Sequence, residues 1–134
     1  QQEELKHKGI HRVLTSYDVL GGKATFNLVW TTQKFYTENP KTYAAFYAAL
    51  QEATDKINKD KTWAAKAYLR LVNDKRTPEE DIVKLLNDPE NVYTLTPNNM
   101  MKYVHFMHKV GSIKVLPDSW KDMFFPNAHN LSGS

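Results

Sequence analysis

Cysteine is missing from this 134-residue chain. Its absence excludes disulfides, thiol nucleophiles and Cys-ligated metal, while leaving the compartment open, because many exported proteins carry no cysteine either. Glycine is scarce, at five residues, and none of them builds a Gly-rich phosphate loop or a nucleophile elbow. No Ser, His and Asp follow in the order of a catalytic triad. Long hydrophobic runs are lacking too: none approaches the roughly 20 residues of a membrane-spanning helix, and none follows a charged stretch as a leader does. Charge of one sign is not concentrated anywhere. The net charge of +3 arises from 18 Lys+Arg against 15 Asp+Glu interspersed along the chain, without the basic stripe a nucleic-acid partner requires.

What is present is enough for one modest core, since 41% of the residues are hydrophobic and a domain of this size buries roughly two-thirds of its unfolded surface. Gln1 cannot be a translation start, which predicts an amino end made by cleavage or processing and further sequence upstream. Residues 1–8 are polar and aperiodic and read as a frayed lead-in or short helix end.

The period then changes. Residues 10–15 mix β-branched and apolar side chains, and residues 24–32 alternate Phe26, Leu28 and Trp30 against Thr25, Asn27 and Val29, so both stretches are expected as strands separated by a Gly21-Gly22 turn or hinge. From Asn39 the signals are helical. Asn39 is expected to cap a helix with Pro40 in its first turn, and Tyr43, Phe46, Tyr47, Leu50, Ala53 and Ile57 fall on one face. Asp60 is expected to cap a second helix with Trp63, Ala64, Ala67, Tyr68 and Leu71 as its buried stripe. Thr77-Pro78-Glu79-Glu80 reads as a capping box for a third, with Ile82, Val83, Leu85 and Leu86 as its apolar face. Thr96-Pro97 repeats the start signal for a helix that carries Met100, Met101, Val104, Met107 and Val110 and ends at Gly111. Two strands alone do not make a stable sheet, so further strands are expected from elsewhere.

Most constellations have plain explanations. His7 with His11, and His105 with His108, have the spacing by which two imidazoles share a metal on a helix, but no third ligand is evident, and no metal site is expected. The Met stripe and the Tyr43 to Tyr47 face read as core packing, and Glu79-Glu80-Asp81 as acidic residues favoured by the dipole of a first helical turn. No catalytic residue and no cofactor are expected. At one place hydroxyls, a carboxylate and flexible backbone converge beside the expected strand ends: Ser16, Tyr17, Asp18, Gly21, Gly22, Thr25 and Asn27. Such a place holds a small ligand or is simply a polar turn.

Several blocks together resemble the carboxy-terminal part of the ABC-transporter substrate-binding proteins of the nitrate, sulfonate and taurine type. These are Ser16 through Trp30, Glu38-Asn39-Pro40 with Ala45-Phe46 and Ala48-Ala49-Leu50, Asp88-Pro89-Glu90-Asn91, Met101-Lys102-Tyr103, Phe106-Met107-His108, Gly111-Ser112-Ile113-Lys114 and Ser119-Trp120-Lys121-Asp122. The resemblance implies an α/β chain: the helix-rich carboxy-terminal portion of a two-lobed periplasmic-binding (type II) fold, with two strands followed by about five helices. Residues 1–22 would be the end of the second lobe and the hinge, and residues 23–134 the carboxy-terminal part of the first lobe. It further implies a secreted, periplasmic precursor about twice as long or longer. That protein would not be an enzyme; it would capture a small anion, a sulfonate, nitrate or related organic acid, between two lobes and present it to an ABC permease in the membrane, with Ser16, Tyr17, Asp18, Gly21, Gly22, Thr25 and Asn27 nearest the ligand.

Two alternatives accompany this reading. One is a stand-alone helical interaction module. The other is an enzyme resembling the thiamine-pyrimidine synthases, a poor match because their cysteine-containing motif has no counterpart here. For the segment by itself, the uncovered strand carrying Phe26, Leu28 and Trp30 predicts self-association, with a two-fold homodimer as the simplest closed arrangement.

Overall fold

The structure, a computed structural model, describes residues 4–134; Gln1 and the start of the expected lead-in lie outside them. It is built from six α-helices among the described residues: α1 (Ser16–Leu20), α2 (Gln33–Glu38), α3 (Pro40–Lys59), α4 (Lys61–Val72), α5 (Glu79–Asn87) and α6 (Met100–Lys109). Short 3-10 turns span Glu4–Lys6, Trp120–Met123 and Pro126–Ala128. The chain divides into two compact units, one comprising residues 1–28 and 96–134 and the other residues 29–95.

The helix-rich character expected from the sequence is present, but the two strands are not: no strand forms among the described residues. Residues 10–15 and 24–32 contain the right side chains without a ladder partner. A pleated segment is stabilised by cross-strand neighbours and burial rather than by an intrinsic backbone preference. Residues 23–32 accordingly run on without helix, turn or bend, and Phe26 and Trp30 are each 83% exposed.

In the unit of residues 29–95, α4 packs on α5 and on α3, and α2 on α3. Its centre is Ala64, Ala65 and Ile82, with Ala65 wholly buried. Both alanines lie in the first half of α4, and side chains this small permit close packing of a helix backbone on its neighbours. Trp63, Tyr68 and Leu71, expected in the buried stripe, are exposed, so the buried face of α4 is set by its alanines. The start of α4 is as expected: Asp60 accepts a hydrogen bond from the Trp63 N–H at 2.8 Å. On α3, Tyr43, Tyr47, Leu50, Thr54 and Ile57 are half-buried, alternating spacings of four and three along one seam. Tyr36 of α2 meets Tyr43 edge-to-face, with ring centroids 4.7 Å apart.

Two of the expected caps differ. Asn39 precedes α3 with Pro40 in its first turn, yet its side chain makes no cap bond and instead donates to the Phe35 carbonyl. The Thr77 capping box does not form. Asp74 takes the Thr77 hydroxyl at 2.6 Å and the backbone N–H groups of Arg76 and Thr77, leaving Pro78 at the cap position of α5. A carboxylate three residues upstream outcompetes the box because it accepts three bonds at once.

The other unit is centred on Met100 and Val104 of α6 with Pro97, Trp120 and Ala128. Trp120 meets Phe124 and His129 edge-to-face, and the His129 Nε2 lies within hydrogen-bond reach of the Lys121 and Phe124 carbonyls, at 3.0 and 2.8 Å. Backbone bonds from Ser134 to Pro97 and from Met100 to Ser134 bring the final residues onto the start of α6.

Candidate functional site

The candidate residues begin with a helix, not a turn. Thr15 accepts a bond from the Asp18 N–H, and the Asp18 carboxylate accepts from the Thr15 N–H at 2.8 Å and from its hydroxyl at 2.6 Å. This reciprocal capping box starts α1. It also draws the Asp18 carboxyl below its ordinary value, chiefly through the Thr15 hydroxyl and N–H, with Arg12 assisting. Ser16 is exposed at the first helical position and Tyr17 is half-buried behind it.

After one turn the helix stops. Gly21 adopts the left-handed conformation, φ 67°, and the Gly21 and Gly22 N–H groups both donate to the Tyr17 carbonyl. Gly22, at φ 143°, lies in a region that side-chain-bearing residues avoid.

Three residues at the entrance of α6 then hold the chain. The Asn98 carbonyl accepts from the Thr25 N–H, and the Asn98 N–H donates to the Thr25 hydroxyl, both at 2.9 Å. Asn99 donates through its side-chain amide to the Lys23 carbonyl at 2.6 Å. The Lys102 ammonium donates to the Leu20 carbonyl and stands 3.2 Å from the position a Cβ on Gly21 would take. The turn is therefore clamped from one side by two asparagines and a lysine. Asn27 lies beyond the clamp, exposed.

Ser16, Tyr17, Asp18, Gly21, Gly22 and Thr25 thus fall within one stretch of backbone folded against the entrance of α6. Asn98, Asn99 and Lys102 complete it, and sequence reasoning did not reach them. Thr96-Pro97 reads as a helix start, which would place both asparagines in a first helical turn. In the structure α6 begins only at Met100, and Asn99 is left-handed at φ 54°. The Asn-Asn pair was the available signal, because asparagine tolerates that conformation and offers an amide for loop contacts.

The histidine pairs do not gather further ligands: among the described residues no three of His, Asp and Glu converge as a metal would need. Among the described residues no helix is long and apolar enough to cross a membrane. Comparison with protein-family models, with curated proteins and with solved structures found no match to this chain.

Proposed function

We propose that this chain is the helix-rich part of a non-enzymatic solute-binding protein that captures a small anion, a sulfonate, nitrate or related organic acid, for an ABC importer in the periplasm. The observation that carries the reading is the clamped Gly21-Gly22 turn. The Lys102 ammonium, which has further N–H donors beyond its bond to the Leu20 carbonyl, stands there beside the amide-held turn, and a cationic donor suits an oxyanion. The sequence blocks that resemble the nitrate, sulfonate and taurine binding proteins add the transport context.

In this reading Ser16, Tyr17 and Asn27 supply hydrogen bonds, Gly21 and Gly22 shape the turn that presents them, and Lys102 supplies charge. Asp18 and Thr25 act as positioning residues, the first by starting α1 and the second by fixing the turn to Asn98. Capture is coupled to closure of two lobes because the ligand binds the closed arrangement more tightly, and the closed arrangement is what a permease would accept. Calorimetric titration with methanesulfonate, nitrate and acetate is the test. Saturable binding of one or more of them is expected, and the absence of heat with all three would overturn the reading.

A stand-alone helical interaction module is favoured by one observation, the absence of strands among the described residues. It predicts a folded chain that ignores every anion in the same titration.

A further inference from the structure

Residues 105–112 are exposed without interruption. They form the last turns of α6 and the turn that ends it, where Gly111 is left-handed at φ 77° and the Ser112 N–H donates to the Met107 carbonyl at 2.8 Å. The core is served by Met100 and Val104, nearer the start of the helix. Phe106 and Val110, one turn apart, form a separate apolar strip. Phe106 is 63% exposed, and Val115, just beyond the turn, is 79% exposed.

The charges around this strip are of one sign. Between Thr96 and Pro117 there are three lysines and no Asp or Glu. Lys102 precedes Phe106 by four residues and Lys109 follows it by three, so both border it on the helix surface. Lys114 adjoins Val115 in sequence. Among the described residues, the side chains of Lys109 and Lys114 make no ion pair or hydrogen bond, whereas Lys66 and Lys84 stand 3.9 and 3.5 Å from Glu79 and Asp81. Residues 29–95 carry ten Lys+Arg and ten Asp+Glu, so the net charge of +3 belongs to the unit that contains α6.

An exposed apolar strip bordered by cations and by no acid matches anionic lipid in both its halves. Hydrocarbon receives Phe106, Val110 and Val115, and phosphate receives the lysines, whose methylene stems lie along the apolar side while the ammonium stays at headgroup level. A lipid surface also demands no shape match, which suits a helix end that nothing in its own unit covers; a protein partner would need a complementary surface.

We propose that the carboxy-terminal end of α6 is a peripheral docking site for an anionic membrane surface. Phe106, Val110 and Val115 enter the headgroup boundary, and Lys109 and Lys114 pair with lipid phosphates. The association is weak and reversible, because only three apolar side chains and a few cations hold it. It does not rest on anion capture, which calorimetry reads independently.

Flotation of the 134-residue chain with phosphatidylcholine vesicles, with and without phosphatidylglycerol, tests it. Binding is expected to the mixed vesicles alone and should fall with added salt. Lys109→Gln and Lys114→Gln should each weaken it about fivefold. Phe106→Ser should weaken it as well while leaving the salt dependence in place. All three side chains are exposed, and circular dichroism confirms that each variant keeps its helix content. Lys84→Gln removes the same charge from α5 and should change nothing. Absence of binding to the mixed vesicles overturns the proposal, as does an equal loss with Lys84→Gln, which would mean attraction by net charge alone. Binding to soluble polyglutamate with none to vesicles overturns it in favour of an acidic protein.

Discussion

Gly133 sits so near the indole of Trp120 that a Cβ there would lie 2.8 Å from two ring carbons and 3.0 Å from the Pro97 carbonyl oxygen. Trp120 is buried and the Pro97 oxygen is backbone, so neither yields easily. Gly133→Ala is expected to cost about 1–3 kcal/mol by overpacking, and an unaltered thermal midpoint would contradict that account. Asp18 offers a second test through pH. Its carboxyl is held below the ordinary value by Thr15, so the capping bonds are fully present above that ordinary value and are lost as pH falls through the depressed one. Backbone chemical shifts of residues 16–20 should lose helical character in acid, and Asp18→Asn should remove that acid dependence. At the proposed anion site, Tyr17→Ala and Lys102→Met are each expected to weaken binding by about 1–3 kcal/mol. Calorimetry on folded variants reads this, and unchanged affinity in both would remove these residues from the site. Thr25→Ala should lower stability and affinity together, because its hydroxyl and N–H tie the turn to Asn98.

Among the elements, α3 and α4 were the most legible, since Asn39-Pro40 and Asp60 punctuate the chain and an apolar stripe follows each. Asp60→Ala should cost about 1 kcal/mol by freeing the Trp63 N–H, visible as faster amide exchange in the first turn of α4. Which side of α4 is buried was legible only in part. Ala64 belonged to the expected stripe and is buried, but Trp63 and Tyr68 were expected beside it where the structure buries Ala65, because small side chains permit close approach of backbones. Ala65→Leu is therefore expected to destabilise by about 1–3 kcal/mol despite its greater apolar area, measured by denaturant midpoint. The strand expectation failed for a related reason: alternation in residues 24–32 describes a surface suited to pairing, and pairing needs a neighbour. The helix α1 went unread because a five-residue element has no periodicity. Its only trace was Thr15 three residues before Asp18, a box normally recognised with glutamate.

For the molecule as a whole, the candidate site was half legible. Its residues from Ser16 to Thr25 are close in sequence, whereas Asn98, Asn99 and Lys102 reach them only through the fold, across contacts that no local pattern announces. Assembly belongs to this scale. If Phe26, Leu28 and Trp30 bring about the self-association expected from the sequence, the thermal midpoint rises with protein concentration, because dimerisation stabilises by mass action. Excluded salts such as sulfate should strengthen the dimer by favouring apolar burial; a midpoint independent of concentration would speak against it. The three tryptophans also make the protein its own optical gauge. Trp30 stands in solvent, Trp63 lies under the Lys56 ammonium at 4.1 Å, and Trp120 is enclosed by Phe124 and His129. Acrylamide should quench Trp30 emission strongly and Trp120 emission hardly at all. Single-tryptophan variants would then report self-association and the melting of each compact unit as separate colours, without any dye attached.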